Sequence, residues 1–366
     1  MRRRTVLALV TLLLVVVVAA LSVRPASQAR ADFLWQNEPR LEGHHIYFSE
    51  SAGEASRFDR SDAGLSRLAG LLDLLGADLF TLEWRTGIPA DADLVVIAGP
   101  IKDLGADQTA WLWTYLQGGG RLLLLADPPF GTVGAFKASA GLFQLMWNDM
   151  GLRGRDDVVV VEGALHSVVP PPAAVKAGQP TSTPAPPVDV PLLITEFLTA
   201  NTNPAHAISM DVQGELAFFG ARSLEIDGTP RTSQVTALVY SGDQFYGETD
   251  FKTYLDSGYV ENNIGTDTAR TSLALAAAME DVSTGTRIVV IGDRDFAANG
   301  RGLQSSPPYS PSFLYPNNVR FLLNAVTWLL QAESVSGQFS FPTPGPTVTA
   351  TITPSPTPSP VPTAAQ

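Results

Sequence analysis

Four runs of consecutive apolar residues stand out along the chain: Leu94-Val95-Val96-Ile97-Ala98 and residues 122–126, 158–161 and 288–291. A strand buried on both faces of a parallel sheet reads as such an unbroken run. Residues 45–48 and 79–82 are shorter β-prone runs. Between them, apolar positions recur every three or four residues, the period of a helix with one face on a core. Ser61 or Asp62 is expected to cap a helix bearing Leu65, Leu68, Leu72 and Leu75, with Gly76 as its stop. Asp107 is expected to cap a second, with Ala110, Trp111, Tyr115 and Leu116, ending at Gly118. Residues 142–150 predict a third. Asn317 is expected to open a last helix whose face carries Val319, Leu322, Leu323, Val326, Leu329 and Leu330.

Strand and helix signals that alternate in this way predict an α/β fold: an open, mostly parallel sheet of the flavodoxin or amidotransferase kind, with helices on both faces. The alternation breaks at His166. Residues 170–191 hold eight prolines among Ala, Thr and Ser, the composition of a surface loop. Residues 192–260 read mostly as β, with residues 217–219 and 235–240 the clearest strands, and residues 271–279 fit strand or helix equally. The expected organisation is an N-terminal segment over 1–31, a first part of the α/β core over 32–165, and a Pro-rich loop over 166–191. A β-rich insertion and return to the core sheet follow over 192–333, then a Pro/Thr/Ser tail over 334–366.

The two ends differ from the body. Arg2, Arg3 and Arg4 precede 19 residues without a charge, 5–23, and Ala29-Arg30-Ala31 follows. Such a run spans a bilayer of about 30 Å, and basic residues before it hold that end in the cytoplasm. The reading is an uncleaved single-pass signal-anchor in the cell membrane, with cleavage after Ala31, and hence secretion, as the alternative. Either way the body lies outside. At the other end, residues 341–366 carry no charge, and Pro alternates with Thr and Ser. They read as an extended stalk, spacer or O-glycosylated tail.

Composition narrows the chemistry. With no cysteine, there is no disulfide, thiolate metal site, catalytic Cys or lipidated Cys. Without the five Arg of residues 1–31, 19 basic residues face 36 acidic ones. A body this acidic repels phosphate backbones, so nucleic acid is not an expected partner.

Three stretches resemble the GldG-like, ABC-type auxiliary domain. One is residues 93–100, DLVVIAGP, with the glycine turn and strand of residues 118–128, GGGRLLLLADP. Another is AFFGARSL from Ala217 with VTALVYSGDQFYGETDF from Val235. The last is RIVVIGDRDF from Arg287 with NVRFLLNAVTWL from Asn318. The resemblance implies a fold similar to class I glutamine amidotransferases, used outside the membrane without a known reaction. It also implies partnership with the permease or ATPase of an ABC-type transport system. Relatives often end in a second membrane span, which this chain replaces by its Pro/Thr tail.

Catalysis finds few candidates. His44, His45, His166 and His206 are the only histidines, and no H-E-x-x-H or G-x-S-x-G motif occurs. The three glycines 118–120 follow a helix and precede a strand, so they read as a helix stop rather than a phosphate loop. Acidic groups after strands are more informative, because open α/β sheets bind ligands beyond the carboxyl ends of their strands. Glu50, Asp127, Asp293 and Asp295 are the candidate rim, with Asn299 and Asn318 as secondary candidates. Asp127, Asp293 and Asp295 are the candidate metal ligands, for a hard cation such as Mg²⁺ or Ca²⁺; no other cofactor is expected. The competing reading is that these residues cap turns and helices. The function expected is a non-catalytic extracytoplasmic auxiliary, binding or scaffold component. The alternative is an extracellular hydrolase with a carboxylate- or metal-based site.

Overall fold

The computed structural model describes residues 39–129, 135–169, 186–229, 231–260, 263 and 265–331. The apolar run 5–23 and the tail 334–366 lie outside the described residues. Among the described residues, no helix is long and apolar enough to cross a membrane.

The first half alternates as its pattern predicts: β1 (His45–Ser49), α1 (Ser66–Leu74), β2 (Asp78–Leu82), β3 (Leu94–Ala98), α2 (Ala106–Gln117), β4 (Arg121–Leu125) and α3 (Gly141–Met150). Three β strands follow, β5 (Leu152–Gly154), β6 (Val158–Val168) and β7 (Val188–Ile194). Next come β8 (Glu196–Thr199), β9 (Leu216–Phe219), β10 (Leu224–Ile226), β11 (Ser233–Tyr240), β12 (Tyr246–Glu248) and α4 (Phe251–Ser257). The chain closes with β13 (Ala274–Asp281), β14 (Thr286–Ile291) and α5 (Pro316–Leu330).

The main sheet has the order β2-β1-β3-β4-β14-β13-β10-β5, with β11 also on β13. From β2 to β14 every pairing is parallel; beyond β14 the pairings are antiparallel. Period-two alternation divides each central strand between two cores. Leu94, Val96, Leu123, Leu125, Val289 and Ile291 meet Leu68 and Leu72 of α1 and the Val319, Leu322 and Val326 face of α5. Val95, Ile97, Leu122, Leu124, Ile288 and Val290 meet Leu112 and Leu116 of α2 and Leu142, Phe143 and Met146 of α3. Helices thus cover both faces, which is why the apolar runs 94–98, 122–125 and 288–291 within these strands are unbroken.

Several local expectations are corrected. Neither Ser61 nor Asp62 caps α1, whose N-cap is Leu65 without a side-chain bond. The Arg67 N–H of its first turn is received instead by Asn299 Oδ1, at 2.9 Å from across the fold. Asp107 sits inside the first turn of α2; Gly105 is the N-cap, and Gln108 Oε1 accepts the Gly105 N–H. The β pattern does not stop at His166. β6 runs on to Val168 and pairs antiparallel with β7, which begins at Val188, so the Pro-rich stretch joins two arms of a hairpin. Pro191 is accommodated because β7 is the edge of its sheet, where a missing N–H leaves no bond unmade. Of the ambiguous residues 271–279, 274–279 resolve as part of β13, between β14 and β11.

Candidate functional site

The carboxyl ends of β1, β3, β4 and β14 form one rim of the parallel sheet, and the chain reverses direction across the sheet between β1 and β3. This is where open α/β folds leave a ligand crevice. Here the loop after β1 fills it. The Ala55 N–H bonds to Ala98 O at 2.8 Å, and the Ile101 N–H to Ala52 O at 3.0 Å. Gly53, in the left-handed region at φ +81°, lies so close that a Cβ would strike Ile101. Below the loop, buried Glu54 accepts the Ser49 hydroxyl at 2.6 Å and the Ala52 N–H. Glu50, the candidate at this strand end, is exposed and accepts the Ser56 hydroxyl at 2.8 Å.

Further along, backbone bonds continue the ladder past the strand ends. Gly99 N–H reaches Leu125 O at 2.7 Å, Ala126 N–H reaches Ile291 O at 2.9 Å, and Arg222 N–H reaches Gly292 O at 2.7 Å. Asp127, Asp293 and Asp295 come together here, around Arg294. Asp127 Oδ1 accepts the Arg294 N–H at 2.6 Å, and its Oδ2 lies 3.6 Å from Arg294 Nε. The Arg294 guanidinium pairs with Asp295 at 2.6 Å. Its stem crosses Gly99, where φ is +67° and a Cβ would collide with it. Two of the three carboxyls, Asp127 and Asp295, therefore face a guanidinium. Among the described residues, no group of three His, Asp or Glu side chains is placed to hold a metal ion.

Asp293 is the unusual member. It is fully buried; Oδ2 accepts the Phe219 N–H at 2.6 Å, while Oδ1 has no hydrogen-bond partner among the described residues. Burial, aided by the nearby Asp127 charge, pushes its carboxyl up to about 8, so it holds its proton at neutral pH. Burial also raises Asp127, against the pull of Arg294.

Sequence reasoning missed Arg222, which is entirely buried under the same rim. Its guanidinium donates to Arg155 O at 2.6 Å, Phe136 O at 2.9 Å, Asp127 O at 3.2 Å and Asp156 Oδ1 at 2.9 Å. Burial lowers it to about 10, still cationic at neutral pH. Its one sequence signal is a lone arginine inside the apolar AFFGARSL stretch. The secondary candidates turn to the backbone. Asn299 donates to Asp59 O and Ser61 O while capping α1. Asn318, buried in α5, accepts the Ala217 N–H and donates to Ala217 O, both at 2.9 Å.

The histidines lie elsewhere. His44 and His45 sit at the amino end of β1, with His45 Nδ1 3.2 Å from Asp91. His166 Nε2 lies 3.2 Å from Gly258 O. His206 packs on Trp328 near the end of α5, and its Nδ1 accepts the Ile208 N–H.

A second concave feature runs along the free edge of β2. It is a groove of about 1230 Å³ between β2, α1, the loop of residues 57–60, the loop of residues 309–313 and α5. Phe58 is 63% exposed and Tyr309 67% exposed at its lip.

The family model described as an ABC-type uncharacterized transport system matches residues 46–325. No curated protein matches the chain. Among solved structures, the mmIFT52 N-terminal domain is similar at 14% identity and a TM-score of 0.47, over 78% of this chain and 97% of that one. A ThuA-like protein from Bacteroides uniformis is similar at 8% identity and a TM-score of 0.42, over 81% and 94%.

Proposed function

Because the chain belongs to the family of ABC-type uncharacterized transport systems, we propose that it serves such a system as a non-catalytic auxiliary or scaffold subunit of the GldG-like kind. In this reading residues 5–23 hold it in the membrane, the body stands outside the cytoplasm, and the permease or ATPase of the system is its partner. The observation that carries the non-catalytic part is the closure of the rim from within. Loop 50–55 packs across the switch point, and Arg294 and Arg222 engage the acidic groups and carbonyls of the rim. A hydrolase would need a base within hydrogen-bond reach of a nucleophile at that rim. The histidines are held at the amino end of the sheet, in the hairpin and beside α5.

The test is chemical cross-linking of the full-length protein in its native membranes, followed by identification of the linked subunits. The expected result is a membrane-fraction protein linked to an ABC permease or ATPase, with protease added to intact spheroplasts digesting the body. Full protection of the body, or cross-links that include no transporter subunit, would overturn the reading.

A further inference from the structure

The groove beside β2 combines two features that call for an occupant. Its surface is aromatic and apolar: Phe58, Phe80, Leu74 and Tyr309 are all more than a third exposed there. An exposed apolar patch of this kind marks an interaction site. Two of the guanidiniums along it are engaged within the body, while Arg60, Asp73 and Asp78 also line it. Arg57 stacks on Phe58 and bonds to Thr81, and Arg67 bonds to Leu303 O and Ser305 while lying over Tyr309. The floor of the groove is also a sheet edge: among the described residues β2 pairs with β1 alone, leaving its outer N–H and C=O groups to be covered.

One segment of the chain fits both features. Residues 354–362, PSPTPSPVP, place proline at every second position and carry no charge. In a strand, the N–H and C=O of residue i point to one side and those of residue i+1 to the other. Proline at 354, 356, 358, 360 and 362 therefore puts every missing N–H on the same side. Ser355, Thr357, Ser359 and Val361 keep theirs on the other. Such a segment pairs along one flank only and ends the sheet it joins, while its pyrrolidine rings share one face, suited to an aromatic wall. Proline also holds itself and the residue before it in extended conformations, so little ordering entropy is lost on docking.

The chain path allows it. α5 lines the groove with Val319 and Leu323 and runs back to the amino end of the sheet, where Arg287 of β14 bonds to Trp328 O at 2.6 Å. From Leu323 to Gln331 is about 12 Å of helix. The sequence places 22 residues between Gln331 and Pro354, a length for which a coil's typical end-to-end reach is roughly 25 Å. The groove reaches the same end of the sheet through Leu75, Ala77 and Asp78. We propose that residues 354–362 of the chain itself add along the free edge of β2 and fill this groove. The proposal stands apart from the transport reading, since it involves one chain only.

The absence of native cysteine makes the test direct. Gly70 lies on the exposed side of α1 within the groove, and a Cβ there meets nothing within 4 Å. Full-length protein carrying Gly70→Cys and Thr357→Cys is oxidised mildly, and the intramolecular disulfide is timed. A control pairs Thr357→Cys with Asp107→Cys on α2, across the sheet. The groove pair is expected to close on the order of tenfold faster than the control, from the higher local concentration. Phe58→Ser with Phe80→Ser, both exposed positions, should bring that rate down to the control. So should regrouping the prolines on either side of residue 357 without changing composition. Equal rates for the two pairs would overturn the proposal. So would a regrouped segment as fast as the native one, or a disulfide between chains that fades on dilution, which would assign the groove to a second copy.

Discussion

Asp293→Asn turns the rim into a measurement. The change keeps the shape of the side chain and an oxygen to accept the Phe219 N–H, but it removes the titration. In the folded protein Asp293 is protonated up to about 8; in the unfolded chain it ionises near the ordinary carboxylate value of 3.8. Below that lower value both states hold the proton. As pH rises between the two values, only the unfolded state releases it. The stability tied to this proton is therefore complete below the unfolded pKa and drains away as pH rises through the folded one. Each pH unit is worth about 1.4 kcal/mol. From about pH 4.5 to about pH 7.5 the wild type should thus lose roughly 4 kcal/mol relative to the variant, an upper figure for a site that relaxes on ionising. Urea unfolding followed by circular dichroism, run on both proteins across that range, reads the difference directly; contributions from the other carboxyls cancel. The asparagine variant should gain on the wild type steadily with pH. A difference that stays flat would mean that Asp293 is ionised in the fold, and would refute the argument from burial.

Other expectations follow from the same region. Asn299→Ala removes the acceptor of the Arg67 N–H and the donor to Asp59 O and Ser61 O. It should lower unfolding free energy by about 2 kcal/mol or more, since a lost cap alone is worth about 1. Arg222→Met leaves three carbonyls and Asp156 without their donor. A loss of about 3–5 kcal/mol in the same assay is expected, as for one partner removed from a buried pair. Millimolar Mg²⁺ or Ca²⁺ should leave the melting temperature unchanged, because Arg294 already faces the rim carboxylates. A rise that Asp293→Asn with Asp295→Asn abolishes would instead identify a cation site.

The parts of the fold that were legible in the sequence are those encoded locally. The runs 94–98, 122–125 and 288–291 of β3, β4 and β14 are unbroken because both cores claim them, and α5 shows its buried face as an unbroken helical period. The helix starts were less legible because their partners are remote. Ser61 and Asp62 are plausible caps by type, yet the group that serves α1 is Asn299, 232 residues from the Arg67 it bonds. The hairpin of β6 and β7 was hidden for a related reason: proline signals a break, but at an edge strand the missing N–H faces outward. At the candidate site, the sequence put Asp127 and Asp293 after apolar strands, but that those strands are neighbours is seen only in the sheet. The guanidinium among them could not be read either, since no local pattern says which way Arg294 points. Arg222 was invisible because its partners come from three separate segments of the chain, at Asp127, Phe136 and Arg155–Asp156.

The alternation that splits each central strand between two cores also divides the chromophores. Trp84, Trp111 and Trp113 belong to the α2 and α3 side, and Trp147 lies on α3 beneath the Arg153 guanidinium. Trp328 of α5 packs at the margin of the other core, where His206 and Arg287 meet its ring. Intrinsic emission from the body is therefore weighted heavily toward one layer. Loosening of the α1 and α5 layer would be reported mainly by Trp328, next to two groups able to quench it. The protein thus carries separate optical reporters for its two halves.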